Sequence, residues 1–217
     1  MSRLFLCIMS LLSASVCNAK DEVTFTEWHD LQVNEVNKLP VHTDFFSFDS
    51  KETSLLFGDW SAKTKSQNFL SLDGIWKFRW VKDADKRPEN FYLTDLDDSS
   101  WSQIPVPGCW EMHGFGDPEY VNVGFAWRGH FQGRPPMVPS KDNGVGSYRR
   151  KINIPDDWNG KQVIAHFGSV TSCIYLYVNG QFVGYSEDSK VASEFDITPY
   201  IKKGENLIAF QVFRWCD

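Results

Sequence analysis

The side chains with the widest chemical reach in this sequence are its carboxylates, and several stand in adjacent pairs: Asp97-Asp98, Asp156-Asp157 and Glu187-Asp188. Two carboxyl groups about 5 Å apart, one nucleophile and one proton donor, are enough to cleave an acetal. Neighbours in an extended segment point to opposite faces, so Glu187 and Asp188 cannot flank one bond. Asp97-Asp98 and Asp156-Asp157 fail the same test and read as solvated turns. Glu111 and Glu119 are loop carboxylates that could approach each other, but nothing in their spacing requires it. The catalytic residues expected within this chain are therefore none.

Other chemistries lack their signatures. His29, His42, His113, His130 and His166 show no ligand spacing such as two histidines one turn apart on a helix. There is no Gly-x-Ser-x-Gly elbow and no phosphate-cradling glycine loop. Cys109, Cys173 and Cys216 remain once the N-terminal stretch is set aside. An odd, widely spaced set is neither a disulfide framework nor a zinc pattern. Stability must come from packing.

Residues 1–19 read as an export signal: Arg3, an apolar run from Leu4 to Val16, then Cys17-Asn18-Ala19 before Lys20-Asp21. The run is too short to span a membrane. A lipid anchor on Cys17 is the competing reading, and Val16 is a poor residue to precede one. The expected address is outside the inner membrane, in the periplasm. A net charge of −6 with a pI near 5.4 and no basic patch argues against a nucleic-acid partner. Aromatics make up 15% of the chain, with nine tryptophans, which favours strands and also suits stacking on sugar rings.

Residues 20–68 carry scattered aromatics without a period and read as an irregular arm laid over neighbouring domains. Asp73-Gly74 opens a strand over Ile75 to Trp80, and a polar stretch follows to about Ser100. Ile104-Pro105-Val106-Pro107 is extended, because a residue before proline is pushed out of the helical region. Strands are then expected at Tyr148 to Ile154 and Lys161 to Phe167. Cys173 to Val178 and Phe182 to Tyr185 flank Asn179-Gly180, a strong hairpin signal. Asp196 to Ile201 turns the chain into a last strand, Leu207 to Trp215. Short strands with turn signals and no helical period predict an antiparallel sandwich. The stretch Gly116 to Gly146 is aperiodic yet rich in aromatics, which suggests an ordered loop with a binding role. The apolar run at residues 205–217 has no polar tail after it, so the chain reads as the N-terminal part of something longer.

Together these segments resemble the N-terminal sugar-binding domain of the β-galactosidases of glycoside hydrolase family 2. The resemblance rests on Leu72-Asp73-Gly74-Ile75-Trp76-Lys77-Phe78, Asp97-Asp98-Ser99-Ser100-Trp101, and the run Ile104 to Gly114. It continues through Asp117-Pro118-Glu119-Tyr120-Val121-Asn122, Pro135-Pro136-Met137-Val138-Pro139, the run Tyr177 to Lys190, Glu194-Phe195-Asp196-Ile197, and Arg214-Trp215-Cys216-Asp217. Gly184-Tyr185-Ser186-Glu187-Asp188-Ser189-Lys190 favours β-galactosidases over the β-glucuronidases and β-mannosidases that share the domain. Glu119 departs from the pattern, standing where an apolar residue is usual.

The resemblance implies an all-β, jelly-roll β-sandwich over residues 69–217, preceded by the arm. An immunoglobulin-like domain and a catalytic barrel would follow. It implies that Asn122 and Asp188 contact galactose and that Asp188 is also a ligand of a monovalent cation. An amide both donates and accepts hydrogen bonds, and a carboxylate can accept from two sugar hydroxyls at once. A divalent cation (Ca or Mg) and Na would belong to the full-length enzyme. The implied partners are a β-galactoside and the remaining domains of the polypeptide, with a homo-oligomer left open. A free-standing carbohydrate-binding module and a purely structural domain are the competing readings.

Overall fold

The computed structural model describes residues 25–51, 60–118 and 136–217. Nine strands order these residues: β1 (Glu35–Val36), β2 (Gly74–Val81), β3 (Ser102–Val106), β4 (Val145–Ile154), β5 (Ile164–Phe167), β6 (Cys173–Val178), β7 (Gln181–Ser186), β8 (Ser193–Asp196) and β9 (Gly204–Phe213). Seven form one antiparallel sheet in the order β1-β7-β6-β9-β4-β2-β3, and β5 with β8 forms a second. The protein is an all-β, jelly-roll-like sandwich.

The hairpin between β6 and β7 turns on Asn179 at φ +50° and Gly180 at φ +82°. Left-handed backbone at both central positions matches the right-handed twist of the strands it joins. Asn179 does more than turn. Its Nδ2 donates to the Tyr200 carbonyl at 2.9 Å and to Asn206 Oδ1 at 2.7 Å, and its Oδ1 accepts from Leu207 N–H at 2.9 Å. The hairpin is thereby tied to the start of β9.

Strand β9 lies between β4 and β6, running ten residues in register along β4 from Val145 opposite Phe213 to Ile154 opposite Gly204. Its side chains alternate between faces, and both faces are covered. Ile208, Phe210 and Val212 point into a core shared with Trp76, Phe78, Tyr148, Ile174, Leu176, Phe195 and Ile197. Ala209 and Phe213 belong to a second core with Trp28, Phe91, Trp101, Tyr175, Tyr177 and Tyr185. The first core is closed by the β5–β8 pair together with turns and irregular chain that contribute Trp110, Phe115, Val163 and Ile197. The second is closed by chain without regular structure.

Part of that cover is the arm. Trp28 is buried and stacks on Phe213, ring centroids 5.2 Å apart. Tyr175 donates its hydroxyl to Glu27 Oε2 at 2.9 Å while accepting from Trp28 N–H at 3.1 Å. β1 then extends the sheet along β7, and Leu39 N–H donates to the Glu194 carbonyl at 2.8 Å. Gly184 of β7 is where these layers meet: a Cβ there would stand 2.5 Å from the Val36 carbonyl oxygen and 2.6 Å from the Phe195 ring. Residues 27–36 of the arm pack and pair on the seven-stranded sheet, and Leu39 and His42 bond to β8.

The rest of the cover is the polar stretch after β2, which buries Ala84, Phe91 and Trp101. Asp98 is not a solvated turn as its sequence suggested. Its Oδ2 accepts from Nε of the buried Arg149 at 2.8 Å. Asp97 does make the expected turn, with Oδ1 accepting from Ser99 N–H at 2.9 Å. The strand expected from Lys161 starts at Ile164, because Lys161 N–H closes a turn onto the Trp158 carbonyl and Val163 N–H donates to Thr198 Oγ1.

Candidate functional site

Asp188 stands just beyond β7, where strand becomes loop. Its φ of +81° is left-handed, a conformation Asp tolerates because its short side chain bonds locally. Oδ1 accepts from Lys190 N–H at 3.1 Å, closing an Asx turn. The residue is exposed. Asp188 closes a turn, and the residue lies exposed to solvent.

Glu187 points the other way and is buried, as alternation predicted. Tyr185 donates its hydroxyl to Glu187 Oε1 at 2.5 Å, and Asn34 Nδ2 donates to Oε2 at 3.2 Å. The main chain is held as well, with Glu187 N–H donating to the Asn34 carbonyl at 3.1 Å. Burial pushes the Glu187 carboxyl up to about 7 against these two donors, and the neighbouring Asp217 carboxylate adds to the rise. Further support comes from Ser186 Oγ on the Glu187 carbonyl at 2.8 Å and Ser169 Oγ on the Ser189 carbonyl at 2.7 Å. The loop that carries Asp188 is fixed from both sides.

A cleft of about 290 Å³ opens there, lined by Asn34, Glu35, Lys38, Glu187 and Asp188. Three of its five lining residues come from the arm. The Lys38 side chain is nearly buried, with Nζ 3.6 Å from Glu35 Oε2. Sequence reasoning missed this contribution, because nothing in the arm's period announced that it would pair with β7.

Asn122, the other candidate, lies outside the described residues, as do Glu119 and most of the aromatic loop. Glu111 sits in the short turn Trp110–His113 and is half-buried. Asp156 and Asp157 are exposed, and Asp156 approaches Lys203 at 3.5 Å. Among the described residues no three or more His, Cys, Asp or Glu side chains are grouped to hold a metal. No helix among them is long and apolar enough to cross a membrane.

A second polar cluster was not legible in the histidine spacing. Glu194 of β8 takes His42 Nε2 on Oε2 at 2.7 Å and His166 Nδ1 on Oε1 at 2.8 Å. His42 Nδ1 is also 2.8 Å from the Thr43 carbonyl oxygen. Both ring nitrogens of His42 face acceptors, so only the imidazolium satisfies both. The bond to Thr43 and then that to Glu194 raise the His42 pKa. For Glu194, burial works upward, but the bonds from His166 and His42 prevail and hold its carboxyl below the usual range.

The sequence matches the family described as glycosyl hydrolases family 2, sugar binding domain, over residues 69–217. The chain belongs to glycoside hydrolase family 2. It is 38% identical over 185 residues to a β-galactosidase of Halalkalibacterium halodurans, covering 85% of this chain and 18% of that protein. A β-galactosidase of Lactobacillus delbrueckii subsp. bulgaricus is 39% identical over 186 residues, again 86% of this chain and 18% of the relative. A β-galactosidase large subunit of Leuconostoc lactis is 36% identical over 198 residues, 85% of this chain and 30% of the relative. The chain spans less than a third of the length of these relatives, whose polypeptides contain further domains.

Proposed function

We propose that this chain is the N-terminal part of an exported, periplasmic β-galactosidase that removes terminal non-reducing β-D-galactose from β-galactosides. In this reading the sandwich shapes the galactose subsite, with Asp188 and Asn122 as its sugar contacts. The catalytic carboxylates belong to later domains. The carrying observation is Asp188, exposed on a rigidly held loop at the mouth of a cleft, in a chain whose curated relatives are β-galactosidases. An exposed carboxylate on a fixed backbone suits a pair of sugar hydroxyls, which need acceptors already in place.

Carboxylate oxygens are the hard donors that sodium and similar ions prefer, and Asp188 fits as one ligand of a monovalent cation. Such an ion would lend positive charge beside the sugar hydroxyls. Other ligands, and those for a divalent Ca or Mg ion, would come from the rest of the polypeptide. The sugar-facing work of this chain is to orient galactose and accept its hydroxyl protons in hydrogen bonds.

The test is Asp188→Asn in the full polypeptide, which keeps shape and removes charge. Losing hydrogen bonds to a charged group costs about 1.5–3 kcal/mol, or roughly ten- to a hundred-fold in kcat/KM. Unchanged kinetics and unchanged dependence on sodium would reduce Asp188 to a turn residue. Residues 1–217 alone should hydrolyse no aryl galactoside above background. Turnover abolished by changing one of the chain's own carboxylates would overturn that.

A further inference from the structure

We propose that Cys173 and Cys216 form a disulfide when the protein is exposed to an oxidant, pinning the segment after β9 to the first residue of β6. The fold brings together two cysteines whose sequence positions gave no hint of pairing. Cys173 opens β6 directly opposite Phe213, the last residue of β9. The chain then turns back, with each step held. Ser172 N–H donates to the Phe213 carbonyl at 2.8 Å, and Arg214 N–H to the Gly144 carbonyl at 2.9 Å. Asn143 brackets Trp215, donating from Nδ2 to its carbonyl and accepting its N–H on Oδ1, both at 3.0 Å. Asp217 N–H reaches the Trp28 carbonyl at 3.3 Å.

Held this way, Cys216 packs against the core cluster that contains Cys173, near enough for its thiol to act on that of Cys173. Cys109 is exposed on the loop after β3 and belongs to neither core cluster. The pair is therefore Cys173–Cys216.

The oxidant is a small-molecule disulfide or a thiol oxidase carrying one. The Cys216 thiolate, which is partly exposed, attacks one sulfur of that disulfide; the old S–S bond breaks and the first thiol leaves. The Cys173 thiolate then attacks Cys216 sulfur in the mixed disulfide and releases the second thiol. Two cysteine thiols are oxidised, one disulfide is reduced to two thiols, and the two protons end on the departing sulfurs. Burial pushes the Cys173 thiol well above its ordinary range, and contact with Cys216 raises it further. The second step is accordingly slow in the folded protein. Oxidation should run faster during folding, before Cys173 is enclosed.

The experiment maps disulfides in the full polypeptide after refolding with oxidised glutathione, by proteolysis and mass spectrometry without reductant. The expected product links the Cys173 and Cys216 peptides and leaves Cys109 outside the link. Reductant should then lower Tm by a few degrees. Cys109→Ser should keep both the link and the Tm response, whereas Cys216→Ser should lose both. No link, a link through Cys109, or a Tm response that survives in Cys216→Ser would overturn the proposal. None of these outcomes depends on the sugar reading, which Asp188→Asn tests separately.

Discussion

The two faces of the seven-stranded sheet are built from the same strands and held by different physics. Along β6 and β9 the first face carries Ile174, Leu176, Val178, Ile208, Phe210 and Val212. It meets the β5–β8 pair and, around it, apolar side chains of short turns and loops such as Trp110 and Phe115. Shape and apolar area suffice there. The other face carries Tyr175, Tyr177, Tyr185, Gln211 and, from β4, Arg149. It meets irregular chain, whose amide and carbonyl groups have no ladder and still need partners once buried. The sheet supplies them: Gln211 Nε2 donates to the Pro88 carbonyl at 2.8 Å, and Arg149 Nη1 donates to the carbonyls of Phe91 and Leu93. On the second face, buried carbonyls of the covering chain are met by side-chain donors from the sheet itself.

Removing what both faces share should have the largest effect. Deleting residues 205–217 takes the central strand from both cores, at about 1.5–3 kcal/mol per buried apolar side chain. That is comparable with the whole stability of a domain, so thermal unfolding should lose its cooperative transition. A truncated protein that keeps the transition would show that the faces do not depend on β9.

Phe210→Ala acts on the first face alone and should cost about 3–5 kcal/mol in urea denaturation, through lost volume and contacts with Trp76 and Tyr148. Tyr175→Phe acts on the second face and preserves volume. It should still cost about 1–3 kcal/mol, because Glu27 and Trp28 N–H lose their partner inside the core. If Tyr175→Phe is neutral while Phe210→Ala is costly, the polar atoms of the second face are incidental and the contrast fails.

The smallest effect lies at the arm's hold on β8. His42 has a raised pKa in the fold, so its contribution is complete below about 6.5 and fades as pH rises through the folded value. Glu187 works in the same direction, since a carboxyl raised to about 7 destabilises the fold progressively between about 4.5 and 7. Tm should fall as pH increases from 6 to 8. His42→Gln should flatten part of that slope and Glu187→Gln another part. A slope identical in both variants and the parent would place the titrating group elsewhere.

What the sequence revealed follows the same division. Alternation and turn chemistry located β2, β4, β6, β7 and β9, because these strands are long enough to show a period and pair with one another in the main sheet. The edge strand β1 and the strand β8 were missed: two and four residues carry too little period to register. The second core was missed too. Its cover consists of residues such as Phe91 and Trp101 set in polar surroundings, and Asp98 looked solvated until Arg149 lay beneath it. Asp188 was reached through resemblance to a family. The arm residues Asn34 and Lys38 beside it became visible only through the pairing of β1 with β7.

The placing of β9 has a consequence for synthesis. It is the last described strand in chain order, yet it lies between β4 and β6. While the chain emerges from the ribosome, β2-β3-β4 and the β6-β7 hairpin can each form, but they share no edge until residues 204–213 arrive. Two half-sheets with bare edges, rather than a growing native sheet, are the species present until then, and such edges are where nascent chains mispair. The sandwich closes in one late step, and whatever holds the chain until residue 213 must shield both edges.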